Sequence, residues 1–275
     1  MWIDNNFHVK EDFIKLNKSF YDAEVQNLDF NNPNSVNIIN NWVSDKTQEK
    51  IPTIINDISS SMVMYAINAL YFKSDWKYTF DPEDTALKSF YINSNSTKEV
   101  EMMHMTQDLS FLKNDLFSSV LLPYKNDKYN MMILLPNLDK SIEEVVSVID
   151  EKHWSDWLNQ FTREKVSLGL PKFTFSYKKM FNKALQNLGL EIAFTDQADF
   201  SGISDTGTLI SFVLQKTYIE VNEQGTEAAA VTAVGIGTTS IGLEYQFILN
   251  RPFLFLITEK TTNAISFIGK VGKPE

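Results

Sequence analysis

The chain has 275 residues, of which 43% are apolar, with no cysteine and a formal net charge of −10. The apolar content is enough for a substantial core, whereas the negative charge disfavours nucleic acid as a partner, because phosphates are bound by clustered Lys and Arg. The lack of cysteine excludes disulfides, thiolate zinc sites and cysteine nucleophiles. No apolar run approaches the roughly 20 residues of a membrane helix, which predicts a soluble chain without a membrane partner.

The first half of the chain is predicted to mix helices and strands. Apolar residues at helical spacing predict an amphipathic helix over residues 3–20 and a second helix over 33–50, for which Ser35 is the expected N-cap. A short strand is expected at 23–30. Residues 62–72 are almost continuously apolar, which predicts a strand buried on both faces.

The second half is predicted to consist mainly of strands. Strands are expected over 98–106, 110–122, 130–135 and 166–175 and nearly throughout from 209 onward, with helices over 141–158 and 178–189. Because the elements do not follow a regular βαβ alternation, the predicted class is α+β with large antiparallel or mixed sheets. The sequence contains no repeat, low-complexity stretch or linker, so residues 1–275 are predicted to form a single domain.

One segment, residues 223–242, is too long and too apolar for an ordinary loop between strands. Every second residue is small near the start and apolar through the middle, as the buried face of a strand requires. These residues are Thr226, Ala228, Ala230, Thr232, Val234, Ile236 and Thr238. The pattern alone fits a plain edge strand or a long hairpin equally well.

No residue pattern indicates catalysis. His8, His104 and His153 do not follow the spacing of a metal site such as His-Glu-x-x-His. The glycines near residue 235 lack the lysine and the following helix of a phosphate-binding loop. We therefore expect no catalytic residues, no cofactor and no metal, and a hydrolase has no constellation to support it.

Several motifs, in the same order as in the family, resemble those of the serpins over essentially the whole chain. They are Asn41–Thr47, Ala66–Trp76, Leu121–Tyr124, Met132–Pro136, Leu170–Phe173, Ala198–Ile203, Val221–Ala230, Arg251–Phe255 and Phe267–Val271. The resemblance implies the serpin fold, with a large central β-sheet, further β-sheets, packed helices and an exposed reactive-centre loop, here residues 223–242.

The resemblance also implies a suicide-substrate mechanism. In this mechanism a protease cleaves the loop and forms an acyl-enzyme, and the loop then inserts into the central sheet before the acyl-enzyme is hydrolysed. The residues that enter first must be small, and the hinge pattern of the family is intact here. The implied hinge residues are Glu223, Gly225, Thr226, Glu227, Ala228, Ala229 and Ala230.

Family spacing from Glu223 places the cleaved bond at Thr239–Ser240, whereas counting back from Arg251 places it nearer Ile241. No Arg or Lys lies between Glu227 and Gln246, so a trypsin-like protease fits poorly. The small and β-branched residues of the loop suit an elastase-like or subtilisin-like serine protease, with a cysteine protease as the alternative target.

Three further residues take positions that the resemblance marks as important for sheet opening. Asn68 and Gln215 are expected to be neighbours in the shutter region, where Gln215 replaces a histidine that is usual in the family. A glutamine does not titrate, so we expect no pH dependence of sheet opening from this position. Trp76 is expected at the top of the sheet, in the breach where the loop first enters; an ordinary core aromatic is the alternative.

The segment beginning at Trp2 resembles the part of a serpin that follows a block of N-terminal helices, so the chain reads as an N-terminally shortened serpin. A fragment, a mis-assigned start and a naturally minimal serpin all fit. No export signal is visible, so the sequence does not determine the location; an extracellular or cell-envelope location is the expectation. We expect a monomer that inhibits proteases without being an enzyme; the rival hypothesis is a non-inhibitory serpin-fold binding or structural protein that is cleaved only as a substrate.

Overall fold

The computed structural model describes residues 1–59, 61–226 and 244–274. The chain divides into two compact units, one formed by Met1–Tyr71 and Ser176–Tyr218 and the other by Phe72–Phe175 and Ile219–Glu275. Among the residues described, no helix is long and apolar enough to cross a membrane.

The strands of the described residues are numbered in chain order. They are β1 (Trp2–Asp4), β2 (Gln26–Leu28), β3 (Met64–Tyr65), β4 (Ile67–Tyr71), β5 (Ser74–Asp75), β6 (Ala86–Asn93), β7 (Ser96–Lys113), β8 (Phe117–Pro123), β9 (Tyr129–Pro136), β10 (Thr162–Pro171), β11 (Phe173–Met180), β12 (Leu214–Val221), β13 (Gly225–Thr226), β14 (Glu244–Ile248), β15 (Phe253–Glu259) and β16 (Ile265–Val271). The helices are α1 (Glu11–Tyr21), α2 (Ser35–Lys46), α3 (Ile142–Ser147), α4 (Glu151–Leu158) and α5 (Asn182–Leu185), and α5 continues into irregular helical turns as far as Phe194.

In the first unit, β1 lies between β2, to which it is parallel, and β3, to which it is antiparallel. The predicted helix over residues 3–20 therefore begins only at Glu11, because the preceding apolar residues Trp2 and Ile3 are buried in this small sheet. No residue of α1 is buried.

Helix α2 agrees with its prediction in type and position. Ile39 and Val43 on its inner face are fully buried in the core of this unit. Ser35 is the first helical residue and not the N-cap, and its hydroxyl donates to the Asp29 carbonyl at 2.6 Å. Asn40 fixes the chain that follows, because its side chain accepts from the backbone N–H of Ile54 at 2.8 Å and donates to the Ile55 carbonyl at 2.8 Å.

The prediction for residues 62–72 is wrong in its burial. This stretch forms the two short strands β3 and β4, and Tyr65 is its only residue in the buried class. β4 pairs in parallel with the first five residues of β12, and β12 also pairs with β11. A continuous apolar run predicts that a segment forms strands. It does not predict whether other elements cover one face of those strands or both.

The second unit is built around an eight-stranded sheet with the order β14-β10-β7-β8-β9-β15-β16, and β6 also pairs with β7. Of its described pairings, only β10 with β14 is parallel. The α+β prediction with antiparallel or mixed sheets is thus confirmed. One core cluster of this unit is rich in phenylalanine and includes Phe90, Phe173, Phe247 and Phe253, all of which are fully buried.

Several boundaries in this unit differ from prediction: the strand expected over 110–122 is divided into β7 and β8, and the strand expected over 166–175 is divided into β10 and β11. Two further differences involve polar residues. The polar residues Gln107 and Asp108 were expected to separate two strands, but they continue β7 and pair with Val166 and Lys165. The predicted helix over 141–158 is divided in two, because Asp150 starts a second helix by accepting from the His153 N–H at 2.8 Å. The polarity of the local sequence predicts neither the continuation of β7 nor the start of a second helix after Asp150.

Candidate reactive-loop hinge

The candidate site begins where β12 ends, in the second unit. Asn222 closes a tight turn, since its side-chain oxygen accepts from the backbone N–H of Gln224 at 3.1 Å and of Gly225 at 3.3 Å. Its own N–H donates to the Gly225 carbonyl at 3.0 Å. An Asn side chain that bonds to the backbone two residues ahead stabilises such a turn. The chain therefore reverses immediately, and Thr226 pairs with Val221 in antiparallel register.

The strand β13 formed by this reversal is bordered on both sides. Gly225 and Thr226 pair with Asp75 and Ser74 of β5 on the side opposite Val221. A Cβ atom at Gly225 would collide with the Ser74 carbonyl oxygen and lie 2.6 Å from the Asp75 Cα. Only glycine lets the two backbones approach this closely. The first hinge residues thus already form part of a sheet.

Thr226 is fully buried and its hydroxyl is paired. The hydroxyls of Thr226 and Tyr124 share a hydrogen bond of 2.7 Å. Burial raises the pKa of Tyr124 far above its usual range, so this phenol remains protonated at any physiological pH. A buried hydroxyl without a partner would be destabilising, and Tyr124 is therefore what makes a polar residue tolerable at position 226.

Trp76 lies directly against the hinge. Its ring stacks on that of Tyr124 with 4.6 Å between centroids. Its indole N–H donates to the Asn222 carbonyl at 2.9 Å, and its backbone N–H donates to the Gln224 carbonyl at 2.7 Å. Trp76 is almost completely buried and so contacts both the turn and the aromatic residue that holds Thr226.

Glu223 is anchored by the side chains of Thr85 and Lys172, which are not among the predicted site residues. Its carboxylate accepts from the Thr85 hydroxyl at 2.9 Å and lies 3.4 Å from the Lys172 ammonium. The same ammonium lies 3.4 Å from Glu101. Lys172 and Tyr124 both stand in motifs that carried the family resemblance, so their positions were marked but their roles were not.

The predicted shutter residues lie in the first unit. Asn68 and Gln215 are register partners in the parallel strands β4 and β12. The Gln215 amide donates to the Thr217 hydroxyl at 3.2 Å, and Asn68 is exposed. The two residues are thus neighbours, as expected, but the hydrogen bond described for Gln215 stays within its own strand.

The other predicted site residues, Glu227, Ala228, Ala229, Ala230, Thr239 and Ser240, lie outside the described residues, as does most of the loop 223–242. Within the described ranges, no group of three or more His, Cys, Asp or Glu side chains is arranged to hold a metal ion.

Comparisons with known proteins give a consistent result. The family described as Serpin (serine protease inhibitor) matches residues 1–274. An uncharacterized serpin-like protein of Methanosarcina mazei is 34% identical over 287 residues, which cover all of this chain and 66% of that relative.

Two solved structures are similar over 99% of the chain. The thermophilic serpin tengpin in its native state has a TM-score of 0.90 at 33% identity, with 71% of its chain covered. Human thyroxine-binding globulin has a TM-score of 0.89 at 29% identity, with 73% covered. The chain thus spans about two thirds to three quarters of the length of these relatives.

Proposed function

Because the chain belongs to the serpin family, whose members target proteases in general, we propose that it inhibits a serine protease as a suicide substrate. The protease cleaves the loop 223–242 and forms an acyl-enzyme. The loop then enters the sheet next to β12 and carries the protease with it before the acyl-enzyme is hydrolysed. The chain acts as a monomer and is not itself an enzyme.

The observation that carries this proposal is the position of β13. Gly225 and Thr226 already lie between the end of β12 and β5, and Thr226 is fully buried there. Adding a strand to a sheet provides backbone hydrogen bonds and buries side chains. The hinge therefore begins at the place, and with the pairing, that further insertion would extend.

The residues next in sequence support the same proposal. Ala228, Ala229 and Ala230 follow the acidic Glu227, and alanine enters a sheet without a polar group to desolvate and with little side-chain entropy to lose. Insertion must be faster than hydrolysis of the acyl-enzyme, so small residues are needed where the loop enters first.

We place the cleaved bond at Thr239–Ser240, with a bond nearer Ile241 as the alternative. The small and β-branched residues before it favour an elastase-like or subtilisin-like protease over a trypsin-like one, since Arg and Lys are absent from residues 228–245. A cysteine protease is the alternative target of the same loop.

The test is to incubate the protein with pancreatic elastase and, separately, with subtilisin, and to analyse the products on a denaturing gel. We expect a covalent band near the sum of the two masses. Thr226→Arg should abolish that band and leave cleavage intact, because a long charged side chain cannot occupy the buried position beside Tyr124. Thr97→Arg is the control, since Thr97 is exposed, and it should still form the band.

Cleavage by both proteases without a covalent band, at every ratio of protein to protease, would contradict the inhibitory proposal. A covalent band that persists in Thr226→Arg would contradict insertion at the hinge. Mass spectrometry of the cleaved protein identifies the bond and separates Thr239–Ser240 from the alternative near Ile241.

A second candidate is a non-inhibitory serpin-fold protein that binds a partner or ligand and is cleaved only as a substrate. The similarity to human thyroxine-binding globulin, which has been solved in complex with thyroxine, favours keeping this candidate. Cleavage without a covalent band, together with an unchanged melting temperature after cleavage, is the outcome that supports it.

A further inference from the structure

A groove of about 580 Å³ lies in the second unit, away from the hinge residues described above. The chain just before β15, the beginning of α3 and the end of β16 form its walls. Its volume is within the range of small-molecule sites. Ile92, Ile142 and Pro252 provide an apolar surface in this groove, which we call the Arg251 groove.

Four cationic side chains also line the Arg251 groove, and two of them are already neutralised. Lys270 lies 2.8 Å from the Glu143 carboxylate. Lys140 lies 3.6 Å from that of Asp139 and 3.9 Å from that of Glu144. These pairs supply no net positive charge for a ligand.

The remaining two cations, Arg251 and Lys273, have no carboxylate within salt-bridge distance among the described residues. Arg251 is half-buried, and its guanidinium donates a hydrogen bond to the Pro136 carbonyl at 2.8 Å. That bond fixes the guanidinium at the wall of the groove, and no carboxylate of the described part of the chain pairs with its other N–H groups.

A partly desolvated cation without a counter-ion is unfavourable, and an anion that enters the groove relieves that cost. Burial lowers the pKa of Arg251, but the group remains a cation at neutral pH. A guanidinium binds a carboxylate through two parallel charge-assisted hydrogen bonds, which are roughly twice as strong as hydrogen bonds to a neutral ligand. The adjacent apolar wall then has room for the body of the same molecule.

We propose that the Arg251 groove binds a small amphipathic carboxylate, whose anionic group pairs with Arg251 and Lys273 and whose apolar body packs on Ile92, Ile142 and Pro252. This site is separate from the hinge and does not depend on protease inhibition. The overall negative charge of the chain opposes anions in general, so binding must rest on these local contacts.

Isothermal titration calorimetry of the full chain with decanoate tests the proposal. We expect saturable one-to-one binding that is weakened at least about tenfold by Arg251→Gln, given the strength of charge-assisted hydrogen bonds, and severalfold by Lys273→Gln. Lys113→Gln is the matched control, because Lys113 is an exposed lysine outside the groove, and it should bind as the unmodified chain does. Circular dichroism checks that each variant is folded.

Two further ligands test the two halves of the proposed molecule. Decanol has the apolar body without the charge, and acetate has the carboxylate without the body; both should bind at least about tenfold more weakly than decanoate. If decanol binds as tightly as decanoate, the carboxylate does not contribute to binding, and the proposal is overturned. Acetate binding as tightly would overturn the role of the apolar wall.

The absence of saturable decanoate binding, or binding that Arg251→Gln and Lys273→Gln both leave unchanged, would also overturn the proposal. If Arg251→Gln does not fold, Lys273→Gln and the comparison of decanoate with decanol still decide the question. Protease trapping by the same preparations is measured separately, so a failure of the groove is distinguishable from a failure of the inhibitory mechanism.

Discussion

Tyr124 and Thr226 share a hydrogen bond of 2.7 Å between two hydroxyls that are both fully buried. Thr226 is at the start of the loop, and Tyr124 belongs to the core of the second unit. The bond therefore couples the position of the hinge to the stability of the core beneath it.

Tyr124→Phe should lower the free energy of unfolding by about 1–3 kcal/mol, because it leaves the Thr226 hydroxyl buried without a partner. Thr226→Val should have a similar effect through the Tyr124 hydroxyl. The double variant should be less destabilised than the sum of the two single variants, since both polar groups are then gone. Urea denaturation measures all three, and additivity within about 0.5 kcal/mol would indicate that the two hydroxyls do not interact.

Gly225→Ala should destabilise the protein by about 1–3 kcal/mol, because its Cβ would overlap the backbone of Ser74 and Asp75. Gly207→Ala is the matched control, since no atom lies within 4 Å of the position that its Cβ would occupy; it should change stability by less than about 0.5 kcal/mol. Thermal melting of both variants checks this, and equal effects would mean that β13 does not need glycine.

Lys172 offers an internal comparison of two ion pairs, because it lies 3.4 Å from both Glu223 and Glu101. The Glu223 side chain is 14% exposed and that of Glu101 is 59% exposed. Glu223→Gln should therefore destabilise by about 1 kcal/mol and Glu101→Gln by less than about 0.5 kcal/mol, as solvent screens the second pair more strongly. Urea denaturation measures the free energy of unfolding of both variants. A larger loss in Glu101→Gln than in Glu223→Gln would contradict this ranking.

Glu259 should contribute to acid sensitivity. Its carboxylate accepts from the backbone N–H groups of Thr261 and Thr262 and from the Thr262 hydroxyl, which lowers its pKa to about 2. A group whose pKa is depressed in the folded state stabilises the protein above its unfolded pKa, and this stability is lost as the pH falls. The loss should occur as the pH falls from about 4.5, the ordinary pKa of the group, to about 2.

Glu259→Gln should therefore lose less stability than the unmodified protein over that interval. Glu99→Gln is the control, since Glu99 is an exposed carboxylate, and it should follow the unmodified protein. Melting temperatures recorded from pH 6 to the lowest pH at which the protein folds decide between these outcomes. Parallel curves for Glu259→Gln and the unmodified protein would count against the role of the turn.

The sequence was sufficient for features with a local signature. The buried face of α2, including Ile39 and Val43, follows from helical spacing, and Glu223 and Trp76 were identified from motifs. The Tyr124–Thr226 bond could not be found in this way, because the two residues are 102 positions apart and their pairing depends on how β5, β12 and β13 meet. The ion pair between Lys172 and Glu223 likewise has no signature in the local sequence.

Errors arose where local composition conflicted with sheet pairing. Ile3 falls within the predicted helix but lies in β1, because β2 and β3 offer it backbone partners on both sides. Gln107 and Asp108 resemble a turn, yet a strand with an exposed face accepts polar residues without ending.

The Asn222 turn also determines which face of the sheet the side chain of each later loop residue would occupy. By placing Thr226 opposite Val221, the turn assigns the side chain of an even-numbered residue to the Tyr124 side of the sheet. Any later residue that joins this strand inherits the assignment, because side chains alternate strictly between the two faces. Inserting one residue between Asn222 and Thr226 would thus exchange the faces of the whole loop sequence, although its composition would hardly change.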